Sequence, residues 1–169
     1  MTRRWAAAAL VLLVLVGIGS AGCRRTTASA KTKIAQLPAS SVPVSMLGLR
    51  VRREDVGPEL KQFRRSYAEA AGLWSLRRGD DRIQATLQIV RFLPGARFVT
   101  SGFRRSIANQ IGGAAPTPTR MGQLIVWRST GTKQAIALWF QGRHMFLLAI
   151  RDDFRRPRTL MRRALEIRP

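Results

Sequence analysis

Residues 134–151 read QAIALWFQGRHMFLLAIR, two apolar runs separated by a glycine. The runs A-I-A-L-W-F and M-F-L-L-A-I show little polar alternation, which is typical of strands that are covered on both faces. A glycine between two such runs favours a tight turn. This stretch therefore predicts two central strands of a sheet, Gln134–Phe140 and His144–Ile150, joined in a hairpin at Gln141-Gly142.

A two-residue turn at Gln141-Gly142 also predicts which residues of the two strands lie opposite each other. In that register Trp139 faces His144, and Ala137 faces Phe146. His144 is then interpreted as a strand residue that covers the Trp139 side chain.

Further strands are predicted on the N-terminal side of this hairpin. Leu124–Arg128 precedes a turn at Thr130-Gly131-Thr132 and completes a three-strand meander. Apolar residues alternate with glutamine and threonine along residues 82–93, the apolar set being Ile83, Ala85, Leu87 and Ile89. Strict alternation is typical of a half-buried strand, and a turn at Gly79-Asp80 would pair it with residues 74–77 in a second hairpin.

Three other stretches have apolar residues at helical spacing. They predict helices over Asp55–Ala71, with Gly72 as the stop, over Ala96–Ile111, and over Pro157–Ile167. The inward side of the last helix is expected to be formed by Leu160, Met161, Ala164 and Leu165. Between the second helix and the meander, residues 114–119 (AAPTPT) predict a loop.

These elements predict a single small α+β domain over residues 45–169. It consists of an antiparallel sheet, a hairpin plus a three-strand meander, with two or three helices packed on it. The element order is similar to that of the PsbP-like sandwich, which recurs in exported and lipid-anchored bacterial proteins. The resemblance implies a fold and not a chemistry.

The first 23 residues carry an export pattern. Arg3 and Arg4 precede the uncharged residues 5–21, whose apolar run suits the h-region of a signal peptide and is shorter than the roughly 20 residues that span a bilayer. Ser20-Ala21-Gly22-Cys23 then resembles the lipobox of bacterial lipoprotein precursors, with Ser20 where that family prefers an aliphatic residue. The resemblance implies that the thiol of Cys23 receives a diacylglycerol, that the chain is cut before it, and that the new N-terminus is acylated, palmitate being a suitable acyl chain.

This interpretation divides the chain into a signal peptide (1–22), a lipidated cysteine with a flexible tether (23–44) and the domain (45–169). Residues 24–44 are rich in threonine, alanine, serine and proline, a composition typical of a linker. The predicted location is the cell membrane, lipid-anchored on the extracytoplasmic side. Three alternatives stay open: an ordinary secretory signal, an uncleaved anchor, and a twin-arginine export signal at Arg3-Arg4.

Charge indicates the kind of partner. The chain has 30 lysines and arginines against 9 acids, a formal net charge of +21, which loss of Arg3 and Arg4 lowers to +19. A surface this basic associates with anionic polymers or membranes. The candidate residues for an anionic partner lie near the C-terminus, where arginines are densest: Arg155, Arg156, Arg158, Arg162 and Arg163.

Two interpretations of these arginines stay open. They form a basic surface for anionic lipid headgroups, a wall polymer or an envelope protein, or they form a solvated helix face whose aliphatic stems cover the core. We do not expect a nucleic acid partner, because the export signal removes the chain from cytoplasmic DNA and RNA.

Catalytic and metal sites are not predicted. The only cysteine is the predicted lipidation site, and the only histidine, His144, has no partner acid or nucleophile in view. Asp80-Asp81 and Asp152-Asp153 stand beside arginines at strand ends, where turn-forming or ion-paired aspartates are common. We therefore expect a non-catalytic domain without a cofactor.

Arg91 supports an alternative function. It lies in phase with the apolar side of residues 82–93, so it points inward or emerges at the edge of the sheet. An arginine whose head reaches solvent from a strand end explains this position. So does a buried arginine that lines a cavity with the aromatic strand residues, which would make the protein a small-molecule-binding lipoprotein.

Overall fold

Strands dominate the described part of the molecule. A computed structural model describes residues 34–55, 68–94, 117–121, 124–132 and 134–169. Within these ranges the elements are β1 (Ala35–Gln36), a 3₁₀ turn (Ala39–Ser41), β2 (Ser45–Met46), β3 (Leu49–Glu54), β4 (Ala68–Arg77), β5 (Ile83–Phe92), β6 (Thr117–Met121), β7 (Leu124–Thr132), β8 (Gln134–Gln141), β9 (His144–Arg151) and α1 (Pro157–Ala164).

The described strands form one sheet in the order β2-β3-β4-β5-β9-β8-β7-β6, with β1 paired beside β4. All neighbours along this order are antiparallel, and only β1 runs parallel to its partner. The predicted antiparallel sheet and the single small domain are confirmed. The hairpin β8–β9 lies in the middle of the sheet, as its unbroken apolar runs predict.

The turn of this hairpin lies one residue later than predicted. Gly142 has a φ of +55° and, together with Arg143, forms the turn. The predicted register is therefore wrong: Gln141 lies opposite His144, and Trp139 lies opposite Phe146. Gly142 tolerates the positive φ that the first turn position requires, and the position of the turn sets the strand register.

One face of the sheet carries the main core. α1 follows β9 and packs back onto this face, where Leu160, Met161 and Ala164 are buried. Strand residues at every second position supply the rest of the cluster, which includes Trp74, Leu76, Leu87, Ile89, Trp139, Phe146, Leu148 and Ile150. We call this side of the sheet the core face.

The opposite face is also buried along the middle strands. Leu138 and Leu147 have little exposure there, and on β5 Gln84 and Gln88 are only 3% and 7% exposed. The prediction that β5 is half-buried is therefore wrong. Glutamine at alternate positions indicated solvent, whereas here its side chains lie in the interior.

Gly72 lies inside β4 and does not end a helix. The Trp74 indole lies over it, so that a Cβ on Gly72 would come within 2.3 Å of an indole carbon. Of the predicted helix Asp55–Ala71, residues 68–71 belong to β4, and residues 56–67 lie outside the described part. Apolar residues at helical spacing predicted a helix in this segment, but strand pairing along both edges of β4 prevails over that local preference.

The described residues contain one α-helix, fewer than the two or three predicted. α1 begins at Pro157, a residue whose fixed φ and missing N–H suit the first helical turn. It covers the first two thirds of the predicted stretch Pro157–Ile167. The predicted helix over Ala96–Ile111 lies outside the described residues.

The domain begins earlier than the predicted boundary at residue 45. β1 pairs with β4, the Arg53 side chain donates to the side chain of Gln36, and Leu37 and Val42 are 1% and 3% exposed. The predicted tether is therefore wrong for residues 35–44. Two isolated apolar residues among prolines and serines gave no periodic signal.

Two smaller elements complete the sheet edges. Leu47 and Gly48, both with positive φ, make a two-residue turn between β2 and β3. β6 occupies part of the predicted loop 114–119 and includes Pro118. In the described sheet β6 is the outermost strand on its side, a position that tolerates proline.

Candidate functional site

The C-terminal arginines lie on the solvent-facing side of α1 and of the residues just before it. We call Arg155, Arg156, Arg158, Arg162 and Arg163 the arginine segment, and all five are exposed. α1 positions the last three, because its apolar side is turned to the core and its charged side to solvent. The structure therefore brings together the residues that the sequence singled out for an anionic partner.

Most of the arginine segment lacks a counter-ion. Arg163 forms an exposed ion pair with Glu166, with Nη1 and Oε2 3.1 Å apart. No carboxylate of the described residues pairs with the other four, Arg155, Arg156, Arg158 and Arg162.

The acids of the sheet are already paired elsewhere. Glu54 and Asp81 bind Arg77, with the closest oxygens 2.8 and 2.9 Å from its guanidinium nitrogens. Asp153 binds Arg151 and Arg82 in the same manner, at 2.9 and 2.8 Å. The aspartate pairs at the strand ends thus include ion-paired members, as the sequence suggested, and Asp80 additionally accepts from the Arg82 backbone N–H as a turn residue.

A second group of polar residues lies where β5, β8 and β9 end or begin together. Arg91 lies opposite His144 on β9, and His144 lies opposite Gln141 on β8. All three therefore form one row on the core face. With Glu69 and Arg143 at its outer side, we call this group the polar cluster.

Arg91 is the predicted cavity residue, and its guanidinium nitrogens differ in their hydrogen bonds. Its Nη2 donates to the Glu69 carboxylate at 3.2 Å, at the outer side of the cluster. The other Glu69 oxygen accepts from Arg143, also at 3.2 Å, and Arg143 donates in addition to the Phe92 carbonyl. The Nε of Arg91 is shielded from solvent, and no described residue accepts its hydrogen.

His144 is held in its neutral form. Burial lowers the pKa of its imidazole below 6.5, and the positive charges of Arg91 and Arg143 act in the same direction. A hydrogen bond to the Gln141 backbone and the Glu69 carboxylate oppose this shift without reversing it. The imidazole Nε2 is buried and has no partner among the described residues.

The polar cluster does not have the arrangement of an acid–base pair. Glu69 is close enough to affect the pKa of His144, but its two oxygens are bound by Arg91 and Arg143. Within the described ranges, no three histidine, cysteine or acidic side chains come together as metal ligands.

Two buried indoles lie in the neighbouring rows of the core face. Trp139 stacks on Phe146, with ring centroids 5.0 Å apart and planes within 5°, and the imidazole of His144 is tilted against the same Phe146 ring at 6.2 Å. Trp74 lies over Gly72, next to the row of Arg91. Neither indole N–H has an acceptor in the described part of the chain.

Sequence reasoning found Arg91 and missed its neighbours. The sequence predicts Gln141 as a turn residue, His144 opposite Trp139, and a helix around Glu69, so none of the three is expected beside Arg91. The one usable signal was the polar pair Gln141 and His144 flanking a glycine between two apolar runs.

Cys23 and the segment before it lie outside the described residues, so lipidation at Cys23 stays a prediction. Among the residues that are described, no helix has the length and apolar character needed to cross a membrane. Comparison with protein-family models, with curated proteins and with solved structures yields no match.

Proposed function

We propose that this chain is a lipid-anchored envelope protein, held on the extracytoplasmic side of the cell membrane through Cys23, whose basic domain binds an anionic partner and catalyses no reaction. The observation that carries the proposal is the arginine segment: five exposed arginines, four of which have no counter-ion among the described residues. The anchor is supported by the signal-like N-terminus and the lipobox resemblance of Ser20-Ala21-Gly22-Cys23.

Four exposed arginines without a described counter-ion support a binding surface over a structural role for this segment. Apolar residues hold α1 on the sheet, so these guanidinium groups are not needed to close the core. Arginine offers five N–H donors in a planar fork that matches phosphate and carboxylate oxygens. The partner therefore carries repeated phosphate or carboxylate groups, as anionic lipids, acidic wall polymers and acidic envelope proteins do.

Topology favours a wall polymer or envelope protein over the leaflet that holds the anchor. The described chain enters beside the first residues of β4, where Ala35 pairs with Ala70 near the polar cluster. Arg155 and Arg156 follow the opposite end of β9, an eight-residue strand of roughly 27 Å. Arg155 and Arg156 therefore lie at the end of the sheet opposite to the one where the described chain enters.

Binding of an acidic polymer tests the proposal. The chain from residue 24 onwards retains every described residue and is titrated with soluble poly(glycerol phosphate), and separately with phosphatidylglycerol and phosphatidylcholine vesicles. Arg158→Ser/Arg162→Ser is expected to weaken polymer binding about tenfold or more, since each basic contact to an anionic surface contributes about 1 kcal/mol.

The matched control is Arg52→Ser/Arg78→Ser, which removes the same charge from other exposed positions. We expect a loss of less than about threefold, reflecting only the change in net charge. Equal losses in the two variants would show that net charge and not the arginine segment determines binding. Absence of binding both to poly(glycerol phosphate) and to the phosphatidylglycerol vesicles contradicts the proposal, whereas phosphatidylcholine vesicles are the uncharged control.

A further inference from the structure

The unpartnered buried polar side-chain atoms of the described residues lie on one face of the sheet. They are Nε of Arg91, Nε2 of His144, Oε1 of Gln141 and the indole Nε1 atoms of Trp74 and Trp139. Most buried polar groups in folded proteins are hydrogen-bonded, and leaving one unpaired costs free energy. Three of these atoms belong to side chains of one row, Arg91, His144 and Gln141, and this grouping calls for a physical explanation.

All five side chains lie on the core face and in adjacent rows. Arg91, His144 and Gln141 form one row across β5, β9 and β8. Trp139 is in the next row, and the Trp74 indole reaches over Gly72 into that row from β4. The five residues span three strand spacings, roughly 14 Å, and two side-chain repeats along the strands, roughly 13 Å, and the Trp74 indole extends back over Gly72 towards the row of Arg91.

We propose that this region is a binding site for a small hydroxy acid, a molecule with one carboxylate and one or more hydroxyl groups. The inference is independent of the lipid anchor and of the arginine segment. The same residues carry the small-molecule alternative that Arg91 suggested.

The atoms determine the chemistry of the ligand. Arg91 Nε and the two indole nitrogens each offer one N–H donor, which suits the oxygens of a carboxylate and its neighbours. Gln141 Oε1 is an acceptor. His144 Nε2 is an acceptor as well, because the imidazole is neutral and its other nitrogen is engaged with the Gln141 backbone. These two acceptors need hydrogen-bond donors from the ligand. A hydroxyl group supplies such a donor, whereas a deprotonated carboxylate does not.

The charges of the polar cluster fit a single negative charge. Arg91 and Arg143 carry two positive charges, and Glu69 between them carries one negative charge. The cluster therefore keeps one positive charge in excess. His144 adds none in its neutral form, so a monoanion balances the site and a dianion does not.

Glu69 competes with the ligand carboxylate for Arg91 at the entrance of the site. The five atoms are shielded from solvent, whereas Glu69 and Arg143 at the strand ends are partly exposed. Exposed ion pairs contribute little to stability, so their exchange is inexpensive. The ligand carboxylate takes the place of Glu69 beside Arg91, and its hydroxyl groups then reach Gln141 and His144.

The test uses the full chain in detergent, with ¹⁵N-labelled tryptophan and D-glucuronate, glycerate and L-lactate as probes. Acetate and D-glucose are the controls, because each carries only one of the two functional groups. We expect saturable shifts of the Trp74 and Trp139 indole N–H signals with at least one hydroxy acid, at a concentration about tenfold below that needed for either control.

Two variants at the entrance of the site are expected to act in opposite directions. Arg91→Met removes the donor and weakens binding about tenfold or more, whereas Glu69→Gln frees Arg91 and strengthens binding by roughly threefold. Arg82→Met, at the other end of the sheet, is expected to leave the affinity unchanged.

Three results would overturn the proposal. One is the absence of indole shifts with all three hydroxy acids. Another is equal affinity for acetate, which would reduce the region to a carboxylate contact. The third is weaker binding in Glu69→Gln, because it would show that Glu69 supports the site and does not compete with the ligand.

Discussion

The two ends of the central strands both bring arginine to carboxylate, and they differ in how completely the polar atoms are satisfied. At one end Glu54, Ser75, Arg77 and Asp81 form a closed network: Arg77 donates to Ser75 at 2.8 Å and to both acids. The hydrogen bond to Glu54 raises the pKa of Arg77. At the other end, the polar cluster leaves three buried atoms without a described partner.

Similar residue types therefore have different consequences at the two ends. A satisfied network fixes the chain in one arrangement and is part of the stability of the sheet. Unsatisfied atoms cost stability in the free protein and gain partners when a ligand binds. Whether the polar atoms have hydrogen-bond partners, and not the presence of arginine, therefore distinguishes the structural end from the candidate site.

The largest expected effect comes from displacing Trp74. Gly72→Ala places a Cβ within 2.3 Å of the indole in a fully buried position, so the ring or the strand must move. We expect the free energy of unfolding to fall by about 3 kcal/mol, measured by urea denaturation. Gly79→Ala, where a Cβ meets nothing within 4 Å, is the control and is expected to change stability by less than about 0.5 kcal/mol.

Neutralising one acid at each end tests the comparison directly. Glu54→Gln leaves the half-buried Arg77 without its main partner, and we expect a loss of about 1.5 kcal/mol. Glu69→Gln breaks more exposed pairs and is expected to cost less than about 1 kcal/mol. Equal losses in urea denaturation would contradict the distinction between the two ends.

The pH dependence of stability reports on His144, the only histidine in the chain. Its pKa is lower in the folded chain than the unfolded value of 6.5, so the unfolded state binds more protons just below that pH. The free energy of unfolding is therefore expected to fall as the pH drops through about 6.5, by at most about 1.4 kcal/mol per pH unit.

His144→Phe is the control for this titration and is expected to be flat in the same window. Asp153 does not interfere, because Arg151 lowers the pKa of its carboxyl group below 3.8 and its contribution to stability is lost only at more acidic pH. A pH profile that is the same in both chains contradicts the neutral, buried state of His144.

The smallest expected effect on stability comes from the arginine segment. Arg158→Ser/Arg162→Ser removes exposed side chains without counter-ions, so we expect a change of less than about 0.5 kcal/mol in the free energy of unfolding. The same variant is expected to lose polymer binding. A large loss of stability would instead show that the arginine stems cover the core.

Local pattern predicted the middle of the sheet and failed at its margins. The apolar runs of β8 and β9 and the alternation of β5 identify strands, because burial imposes a period that the sequence displays. β1 and β6 lack that signal, since two paired residues or an edge strand with Pro118 need no apolar period. β4 reads as a helix up to Ala71, because its alanines suit either structure until pairing decides.

The candidate residues were predictable where local sequence pattern displays them. The density of arginine near the C-terminus is visible in the sequence, and Arg91 is in phase with an apolar strand face. The polar cluster also needs Glu69 and Gln141, which only the strand register brings beside Arg91 and His144. A one-residue error in a turn conceals such a cluster, since it exchanges the partners of every strand residue.

The proposed function depends on the anchor at Cys23, and the most direct test is incorporation of radiolabelled palmitate in a bacterial host, combined with membrane fractionation. The native chain is compared with Cys23→Ala. We expect label and membrane retention in the native protein, and loss of both together in the variant. An unlabelled native chain, whether it stays in the membrane or is released into the medium, would contradict a lipid-anchored protein.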